Sequence, residues 1–187
     1  KENEKILIHG GSSGIGTTAI QMSKAFGAIV LTTTSDKNKA EKCYQLGADM
    51  VINYNTHDFV DVIKNSDYRD VNITLDIVGG DYTNRNFSIS AMNGRIIQIA
   101  YIKGNNVEID LSYIMRKSLV HSGSVLRPKD LEYKSAIADD IKNNILPKIS
   151  KGGLLPIIYE TFKLKDAKFA HDLMKSGKHF GKIVLTK

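Results

Sequence analysis

Eight residues near the start of the chain, His9-Gly10-Gly11-Ser12-Ser13-Gly14-Ile15-Gly16, restrict its fold more than any other stretch. They follow an apolar run, Lys5-Ile6-Leu7-Ile8-His9, that reads as a strand. They precede Ile15 to Phe26, which reads as a helix stopped by Gly27. Glycines at such a joint let the backbone turn sharply and bring its N–H groups up to an anion, and the helix N-terminus favours negative charge there. Two registers fit a dinucleotide fingerprint. Gly14-Ile15-Gly16-Thr17-Thr18-Ala19 matches G-x-G-x-x-A, and from Gly11 the pattern is G-x-S-x-x-G with Ser13 in the middle. The fingerprint should follow its strand directly, which selects the Gly11 register.

The same alternation continues along the chain. Strands are expected at Ile29–Thr32, Met50–Ile52, Val71–Val78, Arg95–Ile99 and Leu119–Val125. Helices are expected at Asp36–Leu46, His57–Lys64 and Asp81–Met92. Strands separated by helical crossovers pair in parallel, so the expectation is an α/β, Rossmann-type doubly wound sheet of about six strands with helices on both faces. Ligands of such sheets bind at the carboxyl ends of the strands. After a long helix over Leu131–Ile149, the chain ends in a strand–helix–strand tail: Pro156–Phe162, Ala167–Met174 and Lys182–Leu185.

Composition removes several other classes. At 42% apolar and 25% charged residues the chain is globular, and the size scaling lets ~70% of its unfolded surface be buried without a disulfide or metal staple. The lone cysteine, Cys43, excludes a disulfide framework and a four-cysteine zinc lobe and suits a reducing, cytoplasmic setting. No apolar run approaches a membrane span, and Lys1-Glu2-Asn3-Glu4-Lys5 does not read as a signal peptide. The net charge of +6 raises nucleic acid as a partner, but the lysines are interleaved with acids, as in Lys37-Asn38-Lys39-Ala40-Glu41-Lys42. A generally basic surface explains that pattern, so nucleic acid is not expected.

The glycines also match G-x-x-x-G-x-G, which resembles the short-chain dehydrogenases. That chemistry needs a Tyr-x-x-x-Lys pair on a helix with a serine upstream. Tyr113/Lys117 comes too soon after the loop and lacks the serine, while Tyr159/Lys163 lies in an extended stretch. On a strand the two side chains would stand ~13 Å apart. That reading fails.

A second resemblance runs the length of the chain. Gly10-Gly11-Ser12-Ser13-Gly14-Ile15-Gly16-Thr17, Leu46-Gly47-Ala48-Asp49, Val51-Ile52-Asn53-Tyr54 and Leu75-Asp76-Ile77-Val78-Gly79-Gly80 come in order. Asn93-Gly94-Arg95, Gly123-Ser124-Val125-Leu126-Arg127, Ala170-His171 and Gly181-Lys182-Ile183-Val184-Leu185 follow. Together they resemble the quinone oxidoreductase, zeta-crystallin-like branch of the medium-chain dehydrogenase/reductases. The resemblance implies an NADP-binding domain over residues 1–127 and a segment, 128–187, that in the family returns to a GroES-like catalytic domain. No counterpart of that domain precedes Lys1, so the chain is expected to be the cofactor-binding piece of a longer protein.

The resemblance implies NADPH as cofactor and a quinone or enone as substrate. Ser13, Gly14, Ile15 and Gly16 would face the pyrophosphate. The second strand ends in Thr32-Thr33-Thr34-Ser35 without the carboxylate that NAD sites favour, so its hydroxyls have room to donate to a 2′-phosphate. Ser35, Lys39 and Tyr54 would hold that phosphate, with Asp36 serving as a helix cap. Val78, Ile99, Ala100, Tyr101, Val125, Leu126 and Arg127 would lie around the nicotinamide and its ribose. No covalent catalytic residue is expected, because orienting the cofactor accounts for most of the acceleration. His9, His57, His121, His171 and His179 form no ligand-spaced pair, so no metal is expected either. The resemblance further implies a homodimer through the sixth strand. Alternatives are a zinc alcohol dehydrogenase or enoyl-thioester reductase of the same superfamily, or a non-catalytic nucleotide-sensing or RNA-binding protein.

Overall fold

A computed structural model describes residues 2–150 and 153–187. Six parallel strands form the main sheet: β1 (Lys5–Ile8), β2 (Ile29–Thr34), β3 (Met50–Asn53), β4 (Val71–Asp76), β5 (Ser90–Gln98) and β6 (Val120–Gly123). Their order, β3-β2-β1-β4-β5-β6, is that of a doubly wound dinucleotide fold, reversing direction between β1 and β4. Helices α1 (Gly16–Ala25), α2 (Lys37–Gln45), α3 (Phe59–Asn65), α4 (Tyr82–Ile89) and α5 (Leu111–Lys117) make the crossovers.

Alternation along the strands sorts the core into two layers. On one face Leu7, Leu31, Ile52 and Val71 pack with Phe59 and Ile63 of α3 and with Tyr82 and Ile89 of α4. On the other, Ile8 and Val30 pack with Ile20 of α1 and Cys43 of α2. Phe87, Ile96 and Leu119 form a third cluster under α5.

Several boundaries differ from the sequence reading by a few residues, β2 running on to Thr34 and β4 stopping at Asp76, and three differences go further. Helix α4 ends at Ile89 rather than Met92, because β5 begins at Ser90 and takes Asn93 through a left-handed turn (φ 58°). Helix α5, which apolar periodicity did not reveal, starts where Asp110 accepts the Ser112 N–H. The long C-terminal helix is α6 (Leu131–Asp140), a π-helical turn (Ile141–Ile145) and α7 (Leu146–Ser150). The expected strand near Leu185 is present.

The tail forms a separate two-stranded parallel sheet, β7 (Ile158–Lys163) and β8 (Lys182–Thr186), joined through α8 (Ala167–Ser176). It is anchored on the nucleotide fold. Phe180 is buried in the core layer beside Ile20 and Cys43, and the Gly181 N–H donates to the Ser12 carbonyl at 2.9 Å.

Candidate functional site

The loops after all six parallel strands gather at one edge of the sheet. The glycine loop is set by close backbone approach. A Cβ on Gly16 would fall 2.2 Å from the Gly10 carbonyl oxygen and 2.6 Å from Gly11 Cα. Gly16 is therefore the packing glycine that the Gly11 register requires. Ser13 Oγ accepts the Gly16 N–H at 2.9 Å, and α1 begins without an acidic residue in its first turn, leaving its positive end for an anion.

At Gly14 the crowding is of another kind. The three atoms nearest a Cβ there all belong to the Lys182 side chain, with Cε at 2.6 Å and Nζ at 2.8 Å. Lys182 comes from the head of β8, so the tail lays an ammonium across the glycine loop. The sequence reading missed it; its sole signal is the Gly181-Lys182 pair at the start of the last strand.

Beyond β2 lies a cavity of about 410 Å³ lined by Ser35, Asp36, Asn38, Lys39, Lys42, Asn55 and, from the tail, Tyr159, Gly177 and Lys178. Asp36 caps α2 by accepting the Lys39 N–H at 2.9 Å, a bond that holds its carboxyl below the usual range. The Lys39 amine donates to Ser35 Oγ at 3.2 Å and to the Gly177 carbonyl. Three lysines against one carboxylate make this cavity attractive to a phosphate.

The threonines of β2 do not serve it. Thr32, Thr33 and Thr34 are buried, and Thr32 Oγ1 donates to the Ile8 carbonyl at 2.7 Å while Thr33 faces His9. Being strand residues rather than loop residues, they leave Ser35 as the hydroxyl that the end of β2 presents to the cavity.

Tyr54 sits elsewhere than Lys39. It lines a second cavity of about 440 Å³ with Gly10, Thr33, Ile77, Val78, Tyr82, Arg85 and Lys103. Asn55 borders both cavities and donates to the Ser35 carbonyl at 2.7 Å. The turn after β4 is stitched to the loop after β5: the Gly80 N–H donates to Gly104, and the Lys103 N–H to Val78. Ile99, Ala100 and Tyr101 therefore flank Val78, although they line neither cavity. Val125, Leu126 and Arg127 follow β6 and are exposed.

A third cavity, about 510 Å³, opens beside α3, α4 and α5; of its three carboxylates, Asp58 and Asp110 are committed as caps of α3 and α5, and Asp61 lies in the first turn of α3. The Tyr113/Lys117 pair does lie on one helix, but the Lys117 amine is spent on the carbonyls of Phe87, Ser88 and Ser90. Tyr159 and Lys163 lie on β7.

Residues 14–140 match the zinc-binding dehydrogenase family. Over 98% of this chain, it is 31% identical to a phenolphthiocerol/phthiocerol polyketide synthase from Mycobacterium tuberculosis, of which it spans 8%. It is 27% identical, over 99% of its length, to a 2-haloacrylate reductase from a Burkholderia species, spanning 56% of that protein. The crystal structure of Escherichia coli quinone oxidoreductase complexed with NADPH superimposes on the whole chain with a TM-score of 0.87 and 26% identity, over 58% of that molecule. The chain thus spans about half the length, or less, of these relatives.

Proposed function

The chain belongs to the zinc-binding dehydrogenase family, in its quinone-oxidoreductase-like part, and from that premise we propose that it holds NADPH in an oxidoreductase that reduces a quinone or enone. The observation that carries the reading is the basic cavity at the end of β2, lined by Ser35, Lys39, Lys42 and Lys178, beside a glycine loop whose packing no Cβ at Gly16 could share. These residues fit the cofactor: a cradle for a pyrophosphate, then a cationic pocket for a 2′-phosphate.

When bound, NADPH supplies a hydride. The chain's part is to fix and shield it. The start of α1, with Lys182 above Gly14, would hold the pyrophosphate, and Lys39 and Ser35 the 2′-phosphate. Tyr54 would sit on the far side of Asn55. Val78 and Ile99–Tyr101, with Val125–Arg127, would border the nicotinamide end and exclude water from it. No side chain is assigned a covalent role.

Among the described residues no three of His, Cys, Asp or Glu come together to hold a metal ion, and burial pushes the Cys43 thiol up to about 12. The enone-type acceptor is supported by the 2-haloacrylate reductase among the relatives. A homodimer through β6 is part of the same reading, since that strand ends the sheet with all four residues exposed.

The experiment is calorimetric titration of the 187-residue chain with NADPH and NADH, followed by NADPH oxidation assays with a simple quinone and a simple enone. NADPH should bind more tightly than NADH, while turnover by this chain alone should be slow. Equal affinity for both dinucleotides, or binding of neither, would refute the reading.

A further inference from the structure

His9 is fully buried at the joint between β1 and the glycine loop, and none of the roles above uses it. Its ring stands edge-on to Phe59 and to Tyr82, each at 4.9 Å between centroids. Both ring nitrogens are nevertheless engaged. Nε2 lies 2.8 Å from Asn86 Oδ1, and Nδ1 lies 3.2 Å from Thr33 Oγ1. Asn86 Nδ2 donates to Asp76 Oδ2 at 3.0 Å, and Asp76 Oδ1 accepts the N–H groups of Val78 (2.6 Å) and Gly79 (3.1 Å). At the other end the Gly10 N–H donates to Thr33 Oγ1 at 3.2 Å. Asp76, Asn86, His9 and Thr33 are each buried.

Backbone N–H groups can only donate, so the Asp76 end of this series of bonds has a fixed sense, and the Thr33 hydroxyl, with one proton and two lone pairs, can follow it. The Asp76 carboxylate accepts on both oxygens. Asn86 must then present nitrogen to Asp76 and oxygen to His9, which obliges Nε2 of His9 to carry the proton. A neutral imidazole with Nε2–H has its lone pair on Nδ1. The Thr33 hydroxyl donates into that lone pair and keeps its own for Gly10. The direction set at Asp76 thus runs through to Thr33, and the Gly10 bond is compatible with it.

We propose that Asp76, Asn86, His9 and Thr33 form a one-way hydrogen-bond relay that ties the glycine loop after β1 to the turn after β4, and that His9 is thereby a positioning residue for the dinucleotide. The relay runs under the cavity lined by Gly10, Thr33, Ile77, Val78 and Tyr82, so it sets the spacing of that cavity's walls. It joins two turns in left-handed backbone that glycine adopts freely, Gly10 at φ +71° and Gly79–Gly80 at +67° and +56°. Burial keeps the ring neutral, and the nearby Arg85 acts in the same sense against the pull of Asn86 and Asp76. The positioning role rests on the proposed NADPH site; the relay itself does not.

The test is 15N NMR of histidine-labelled chain, with the His9 signals assigned by their loss in His9→Gln. In the unmutated chain at neutral pH, His9 should be in the Nε2–H form. In Asp76→Asn the new amide must keep its oxygen for Val78 and Gly79 and offer its nitrogen to Asn86. The Asn86 amide then turns round and His9 switches to the Nδ1–H form. NADPH affinity should fall roughly tenfold, because Thr33 Oγ1 then accepts from both His9 and Gly10 and its buried hydroxyl proton loses the acceptor it had on His9. Adding Asn86→Asp returns an acceptor to His9, and should restore both the Nε2–H form and most of the affinity. An Nδ1–H form in the unmutated chain, or an unchanged tautomer in Asp76→Asn, would overturn the relay. A switched tautomer with unchanged NADPH affinity would overturn the positioning role. Absence of NADPH binding by the unmutated chain would overturn that role together with the proposed function, while the tautomers would still decide the relay.

Discussion

Replacing Gly16 by alanine, with Gly14→Ala beside it, separates packing from motif. At Gly16 the added methyl would meet backbone only: the Gly10 carbonyl oxygen at 2.2 Å, Gly11 Cα at 2.6 Å and the Gly11 carbonyl carbon at 2.8 Å. No rotamer relieves such contacts, so the loop must move. Forcing a methyl into a packed site costs ~1–3 kcal/mol. Alanine returns up to ~1 kcal/mol of helix propensity, and less than that in the first turn. The balance is a loss of ~1–2 kcal/mol, which in a domain of this size lowers Tm by roughly 2–8 °C. At Gly14 the three atoms nearest the methyl all belong to the flexible side chain of Lys182, which can swing away, so stability should hardly change. Scanning calorimetry measures both, and calorimetric titration follows NADPH. A Gly14→Ala loss as large as that of Gly16→Ala would refute the Gly11 register and the packing argument with it.

The remaining expectations concern charge, pH and assembly. Lys39→Ala should weaken NADPH by roughly 10- to 100-fold and leave NADH nearly unaffected, because a hydrogen bond to a charged group is worth ~1.5–3 kcal/mol; equal losses for both would sink the assignment. Burial lowers the pKa of His9, so the unfolded chain takes up more protons as pH falls through ~6.5. Stability should be full above that pH and decline below it, with a shallower slope in His9→Gln; a Tm flat between about pH 7.5 and 5.5 would contradict the buried neutral ring. Light scattering at micromolar concentration should give a dimer, converted to monomer by Val120→Lys in the exposed β6. A monomeric unmutated chain would exclude that joint.

Local signals in the sequence read well where one rule governs a segment. Gly27 and Gly47 end α1 and α2 with positive φ, and Leu7/Ile8 and Val30/Leu31 alternate between the two core layers. The reading slipped where two rules compete. Buried Tyr82, Asn86 and Ile89 keep a helical period up to the point where Ser90 enters the sheet beside Val71, and pairing with β4 decides the boundary. Asp110 carried an N-cap signal for α5, but the apolar residues after it, Leu111 and Met115, face solvent. In the candidate site the loops were legible and the partners were not. Thr33, His9, Asn86 and Asp76 meet only once the sheet has formed, across 77 residues of chain in the case of His9 and Asn86. Lys182 reaches Gly14 from the far end of the sequence, where no spacing rule could have placed it.

The bond from Gly181 to Ser12 also orders events in time. Translation makes the glycine loop long before Phe180, Gly181 and Lys182. At ~5–20 residues per second, roughly 10–30 s separate the two. Through that interval the growing chain can hold most of its six-stranded sheet, but with a gap beside Ile20 and Cys43 and an open flank at Gly14. The dinucleotide cradle is thus finished by a segment translated well after the loop it completes. A nascent chain halted before Phe180 would carry the whole fingerprint without the contacts of Phe180, Gly181 and Lys182 to it.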